Sequence, residues 1–429
     1  VRITGNFNDQ EYRLFYGYIE ELPHKWLESW GGFLPIVTIG CVDLFKTFAK
    51  YKILDASLVL TAGSSLGSST IIVDSVSSLH TWQWIRIYKG TTTQTTQIAS
   101  INTSTLTITL AYALQHSFSK GSKVKKWPSV YTGQRIEDLL YEVGVPTAFM
   151  DIDAGENKVS ELTPTDNNLL EELHKTAEAE DGLLFMSPNG LVTFHDSLAR
   201  TVAPFSTVSA TLKDDGTGVK FSELDIVDDD VFIYNQSIIA GPSVGNQVVY
   251  DDVAQALQGP RVLSRTDSRL LYPSDGFIQA LVNVLKYRAS ALRCREVVLL
   301  PDADPMNIYP RVFGYDLSTK VNLQLNSTRN PAMLNINHHI EGITLNYDPF
   351  LSWKAAWQLW DENKYRVFQG YHDGHVNHRS SISYLAAQQA ATANRPIFND
   401  AKSLRVGQEF FVASTWDIWR GLVEFNTVL

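Results

Sequence analysis

Apolar and polar positions alternate with period two over most of the chain and take helical spacing in a few places only, so the pattern predicts a β-rich protein. In "EYRLFYGYIEE" (11–21), Tyr12, Leu14, Tyr16 and Tyr18 alternate with Arg13, Phe15 and Gly17, as in a strand with one covered face. "LPIVTIGCVD" (34–43) predicts a second strand. Asp43 then stands where it can cap a short helix, "LFKTFAKY", with Leu44, Phe45 and Phe48 on one face.

Residues 57–127 change character: they are rich in Thr and Ser and poor in acids. Five short strands, "STIIVDSV", "WIRIYKG", "TTQIASI", "TLTITL" and "SKVKKW", follow one another between turn residues, which predicts a small antiparallel β-domain. Helical signals resume directly after it, so it reads as an insertion. "TGQRIEDLLYEVGVP" predicts a helix stopped by Gly144 and Pro146. A second helix has Leu169, Leu170, Leu173 and Ala177 on one face, and its acids Glu171, Glu172, Glu178, Glu180 and Asp181 read as a solvated face. A hairpin follows, turning at Pro188, Asn189 and Gly190.

From 222 to 360 the pattern is again β with one helix, "SDGFIQALVNVLKYRASAL", capped by Ser274. Residues 361–403 read as a polar linker, and 404–429 return to strand-like alternation. The predicted organisation is therefore 1–56, an inserted 57–127, an α/β segment 128–221, a second β-block 222–360, the linker, and the start of a C-terminal module.

A chain of 429 residues exceeds one core, and its length alone suggests roughly three domains. With 44% apolar and 19% charged residues it is globular material. Aromatics reach 11%, residues often placed on contact surfaces. The net charge of −10 argues against tight nucleic-acid binding, though an acidic channel suits DNA that must slide without sticking. Cys41 and Cys294 are the only cysteines, so neither a disulfide framework nor a zinc ribbon can be built. No apolar run approaches the ~18 residues of a membrane span. The opening "VRITGNF" has neither an initiator Met nor a signal pattern, so a start inside a longer gene product is expected.

Catalytic patterns are sparse. "GSSLG" around Ser65 has nucleophile-elbow spacing, but a strand rather than a helix follows it. "DIDAGEN" (151–157) opens like a calcium loop and lacks the closing Glu, so it reads as a turn. No Walker loop, complete dinucleotide fingerprint or His-Glu-x-x-His pair is present. "HDGHVNH" places His372, His375 and His378 three apart beside Asp373, a spacing that can converge on zinc, nickel or iron. Gly374 breaks any helix that would align them, and surface histidines on a polar linker are the other reading. No other cofactor is implied. His338 and His339 are adjacent on a predicted strand, so they face opposite sides and cannot share an ion. After a turn at Asp348-Pro349, Trp353, Ala355, Trp357 and Leu359 alternate with Lys354, Ala356 and Gln358. Base stacking would call for flanking cations, so this hairpin reads as structural.

Six segments in order resemble the tail-tip hub, or tail-associated minor tail proteins, of long-tailed bacteriophages, which are similar to the baseplate hub of contractile tails. They are "RLFYGYIEELPHKW", "VTIGCVDLFKTFAKYKI", "YTGQRIEDLLYEVGVP", "LEELHKTAEAEDGLLFMSPNGLVTF", "DDDVFIYNQSIIAG" and "HHIEGITLNYDPFLSWKAAWQLW". They span most of 1–360 around the insertion. The resemblance implies a β-rich α+β, multidomain chain: two hub-type β-barrels joined by α/β segments, with a small inserted all-β domain that departs from the minimal hub and faces outward. It further implies a non-enzymatic, structural virion component at the tail tip. Three copies would form a ring that caps the tail tube, adapts sixfold to threefold symmetry, and provides the channel for tape measure and DNA release. The implied partners are further copies of the chain, the distal tail protein ring, the tape-measure protein, a C-terminal tail fibre or receptor-binding module, and viral DNA in transient passage.

A tail-associated cell-wall hydrolase is the enzymatic alternative, which would show paired carboxylates in a cleft or a metal-peptidase motif. A carbohydrate-binding adhesin is another. Removal of 57–127 is expected to leave a trimer intact, and His372, His375 and His378 from three chains would meet on the threefold axis at a metal. In the last segment Trp419, Val423 and Phe425 lie on one side of a predicted lone strand, with Ile418 and Leu422 on the other. Such a strand needs partners, so the gene is expected to continue past Leu429 into a β-sandwich module.

Overall fold

The computed structural model describes residues 1–29, 32–53, 58–77, 79–163, 168–227, 233–288, 293–325, 334–350 and 352–361, with the backbone of 409–412 and 424–427. Strands in several sheets dominate and helices are few, so the chain is β-rich and multi-sheet, as its period-two pattern predicts. It divides into two compact units, Val1–Ala199 with Arg269–Leu271, and Arg200–Ser268 with Tyr272–Leu429.

The first unit begins with three separate antiparallel ribbons. Arg2–Phe7 pairs with Gln10–Tyr16, Tyr18–Glu21 with Gly40–Val42, and His24–Ser29 with Gly32–Val37. The single strand predicted over 11–21 is thus two, broken at Gly17. A Cβ there would lie 2.3 Å from the Val42 carbonyl oxygen, so the close approach of the two segments admits only glycine. The strand predicted over 34–43 is also two. The Thr38 N–H donates to the Pro23 carbonyl at 3.1 Å, and the chain changes partner at that point.

The Thr-rich segment forms one six-stranded antiparallel sheet in the order Leu58–Val59, Lys123–Lys126, Trp84–Lys89, Thr92–Asn102, Thr107–Leu110, Thr70–Ile72. The five predicted strands are all there. The sixth, Leu58–Val59, is too short to leave a periodic signal. Alternate residues such as Ile85, Ile87, Ile98, Ile108 and Val124 close a core of their own, as period two requires.

The rest of this unit packs three helices on a small sheet: α1 (Phe45–Phe48), α2 (Thr132–Glu142) and α3 (Leu169–Glu180). Leu44, not the predicted Asp43, is the cap of α1 and makes no side-chain cap bond; Asp43 stands one residue earlier, its Oδ1 accepting from the Phe45 N–H at 3.0 Å. α2 stops before Gly144 as expected. α3 buries Leu169, Leu173 and Ala177, and its Asn168 side chain accepts from the Glu171 N–H. Leu183–Met186 and Val192–His195 form the predicted hairpin, joined by Met150–Ile152 in parallel. Phe48, Trp127, Ile136, Leu140, Leu173 and Phe194 share this core.

The second unit is built on a six-stranded sheet: Ala210–Lys213, Lys320–Leu325, Leu334–Asp348, Ser352–Asp361, Arg293–Leu299, Glu223–Val227. Its spine is the long hairpin Leu334–Asp348/Ser352–Asp361, where Ala355, Trp357 and Leu359 are buried and Lys354 and Gln358 exposed, the predicted alternation. A three-stranded sheet, Gly245–Tyr250, Gln236–Gly241, Val262–Arg265, carries a helix against it. Among the described residues three α-helices are present here where one was predicted over 222–360: α4 (Asp252–Gln258), α5 (Pro273–Tyr287) and α6 (Pro305–Gly314). α6 holds Pro310 inside it, a residue that ordinarily argues against helix, and α4 is too short for a periodic signal. α5 starts at Pro273 with Tyr272 as the cap. Ser274, the predicted cap, lies within the first turn and donates to Asp275 Oδ1 at 3.2 Å. Further along the chain, Glu409–Val412 pairs with Glu424–Thr427, so the terminal segment supplies two mutually paired strands rather than one lone strand. Trp419, Val423, Ile418 and Leu422 lie outside the described residues.

Candidate functional site

The residues predicted to carry chemistry disperse. His372, His375 and His378 lie outside the described residues. His338 and His339 are both buried on Leu334–Asp348 and face opposite sides, as strand geometry requires. His338 Nε2 accepts from the Cys294 N–H at 3.4 Å, and His339 Nε2 donates to the Phe205 carbonyl at 3.1 Å. Burial holds the His338 imidazole below its ordinary pKa, against the opposing pull of Asp361. Burial also pushes the Cys294 thiol up to about 12, so it is not a thiolate at neutral pH. Among the described residues no group of three or more His, Cys, Asp and Glu is placed to hold a metal ion.

Ser65 sits in a turn ahead of the strand Thr70–Ile72, with the Leu66 N–H donating to Ser117 Oγ. No helix follows to present its hydroxyl. Trp357 packs inside the sheet with its ring 5.8 Å from that of Tyr315, so the tryptophan hairpin is core.

The loop "DIDAGEN" turns backbone donors inward onto the Glu180 carboxylate, one of the acids expected on a solvated face. Glu180 is buried, and so is Glu172, which corrects the solvated acidic face assigned to α3. Glu180 Oε2 accepts from Thr132 Oγ1 at 2.8 Å and the Asn157 N–H at 2.9 Å. Its Oε1 accepts from the Glu156 N–H at 3.1 Å and Ser197 Oγ at 3.0 Å. Gly155, at φ +78°, lets the loop close, because a Cβ would fall 1.9 Å from Thr132 Oγ1. Burial raises the Glu180 pKa to about 7 despite these four donors. The group is closed on all sides by its own chain and acts as a clasp joining α2, the 150s loop and α3.

Its titration has a definite sign. The folded pKa of about 7 lies above the ordinary 4.5, so the stabilisation is complete below pH 4.5 and disappears as pH rises through 7. Urea unfolding is expected to show a loss on the order of 3 kcal/mol from this group across that window. Glu180→Gln should flatten that part of the profile, and an unchanged slope in the variant would assign the pH dependence elsewhere.

Other buried charges near α2 are structural as well. Arg135 donates to the carbonyls of Trp127, Pro128 and Ser160. Asp138 Oδ1 accepts from the Trp84 N–H at 3.0 Å, and burial drives its pKa well up. Lys126 donates to both Glu142 oxygens, 2.9 and 3.0 Å away, and lies 4.4 Å from the Trp127 ring centroid.

What remains for function is surface. Among the described residues, none of the three ribbons of 2–42 has a third strand. They leave Tyr18, Ile19, Leu22, Trp26, Ile36, Val37 and Ile39 exposed, Trp26 at 65%. Isolated two-stranded ribbons are marginal in water, and apolar side chains beside unpaired edges invite further strands. The uninterrupted apolar run 34–37 with Ile39 was the signal in the sequence.

No family model and no curated protein matches the chain. Three of the solved structures similar to it are tail proteins, two of them from prophages. The tail protein from Neisseria meningitidis is 11% identical, with a TM-score of 0.39 over 71% of this chain and 91% of that one. The prophage MuSo2 43 kDa tail protein from Shewanella oneidensis is 12% identical, with a TM-score of 0.37 over 80% and 99%. The prophage tail protein gp18 from Listeria monocytogenes is 9% identical, with a TM-score of 0.29 over 71% and 94%.

Proposed function

We propose that the chain is a structural tail-tip (baseplate hub) protein of a bacteriophage. Three copies form a ring that caps the tail tube, adapts sixfold to threefold symmetry and provides the channel for tape measure and DNA release. The observation that carries this reading is the ribbon surface of 2–42. Three unpaired ladders with exposed Tyr18, Ile19, Trp26 and Ile39 gain stability when neighbouring chains extend and cover them. The ordered resemblance over 1–360 supports it, since the quoted segments include both the ribbons and the long hairpin. In this reading residues 1–56 and 222–360 supply two hub-type barrels, 57–127 faces outward, and the chain's role is structural rather than catalytic. The neighbours are the distal tail protein ring, the tape-measure protein and a distal fibre or receptor-binding module.

The test is assembly. The double variant Trp26→Asp/Ile39→Asp is expected to weaken trimer formation at least about 100-fold, since charge on a buried apolar contact is strongly unfavourable. Far-ultraviolet circular dichroism of the monomer should be unchanged. Sedimentation equilibrium reads the outcome, and an unperturbed trimer in the variant would remove the ribbons from the interface.

A further inference from the structure

The inserted sheet differs in charge from the molecule around it. Residues 58–126 hold six basic residues against a single acid, Asp74, a formal +5 inside a chain of net −10, so the remainder carries −15. Three of the six are committed within the fold. Lys126 pairs with Glu142, and Arg86 and Lys125 share Glu161. Lys89, Lys120 and Lys123 are exposed. They come together at one corner, where Lys89 Nζ donates to the Lys120 carbonyl and Lys123 stands opposite Tyr88 in the ladder.

The register places aromatic and hydroxyl groups beside these cations. Ile85, Ile87 and Val124 turn into the core, so Trp84, Arg86 and Tyr88 turn outward. Lys123, Tyr88 and Thr93 form one row across the sheet, and Lys125, Arg86 and Thr95 the next. The Arg86 guanidinium lies 5.1 Å from the Tyr88 ring centroid. At the other end of the strip the Trp84 and Tyr112 rings stack at 6.1 Å with 25° between their planes, and Tyr112 and Trp82 are exposed.

We propose that this face binds an anionic polysaccharide. Flat rings take the apolar faces of sugars, threonine hydroxyls match sugar hydroxyls, and the lysine corner takes a carboxylate or phosphate on the polymer. Duplex DNA fits less well. Its dense phosphate rows call for a longer line of cations, and the −15 on the remainder of the chain repels it more strongly than a polymer with one charge per sugar or fewer. The inference is independent of the ring proposed above.

The experiment is calorimetric titration of the full-length chain with polygalacturonate oligosaccharides, dextran oligosaccharides of equal length, and a short duplex DNA. Polygalacturonate is expected to bind with an affinity that falls as salt rises, and dextran to bind at least about tenfold more weakly. Lys89→Glu/Lys123→Glu should weaken polygalacturonate binding at least about tenfold and Tyr112→Ala about threefold, with thermal melting confirming that both variants fold. No heat with polygalacturonate, equal binding of dextran, or tighter binding of DNA would each overturn the proposal.

Discussion

Trp357→Ala is expected to destabilise the second unit by about 3–5 kcal/mol. The side chain is fully buried on Ser352–Asp361, opposite Val297 on one neighbouring strand and Ile343 on the other. Its truncation opens a cavity in the middle of a sheet whose long hairpin leaves little room for collapse. The indole Nε1 has no hydrogen-bond partner among the described residues, so the ring's contribution there is packing area rather than polarity. Trp357→Phe, which keeps most of that area and removes the unpaired N–H, should cost less than about half as much. Urea titration followed by circular dichroism separates the two. Equal losses in both variants would mean that the indole nitrogen matters.

The second large effect is expected in the first unit. Arg269 donates through Nε at 3.1 Å and Nη2 at 2.6 Å to the two oxygens of buried Glu172 on α3. The segment Arg269–Leu271 reaches this unit from 97 residues further along the chain, tied by the Ser160 N–H donating to the Arg269 carbonyl at 2.7 Å. Arg269→Met takes both Arg269 donors from the buried Glu172 carboxylate and should cost about 3–5 kcal/mol. Arg269→Met/Glu172→Leu, which removes both charges, should recover most of that loss. A double variant as unstable as the single one would show that the backbone tie, rather than the ion pair, depends on Arg269.

These two sites mark the limits of what the chain discloses by pattern. The hairpin around Trp357 is legible because its strands are long, alternate cleanly and meet at Asp348-Pro349. α3 is legible through Leu169, Leu173 and Ala177. The pairing of Glu172 with Arg269 is not, because nothing local distinguishes a buried acid from a solvated one when its partner is 97 residues away. The same holds for Glu180, whose hydroxyl donor Thr132 lies 48 residues upstream. Parallel pairings, such as Ala210–Lys213 on Lys320–Leu325, are equally non-local. α4 and α6 fail for local reasons, brevity in one and an internal proline in the other. The ribbon surface was half legible. The apolar run at 34–37 was plain, whereas the change of partner after it, at the Thr38 N–H bond to the Pro23 carbonyl, left no local signal.

The exposed apolar residues of 2–42 have a direct consequence for assembly. In the proposed ring, neighbouring copies cover them through head-to-tail contacts between two different surfaces, and such contacts close into a ring only when the rotation per subunit completes a full turn. Imaging assembled tails by electron cryomicroscopy, with native mass spectrometry of the released tip, tests this most directly. A threefold ring of this chain, at three times the mass of its protomer and stacked on a sixfold ring with the ribbons at the subunit contacts, is the expected result. A monomer, or a sixfold ring of this chain, would contradict it.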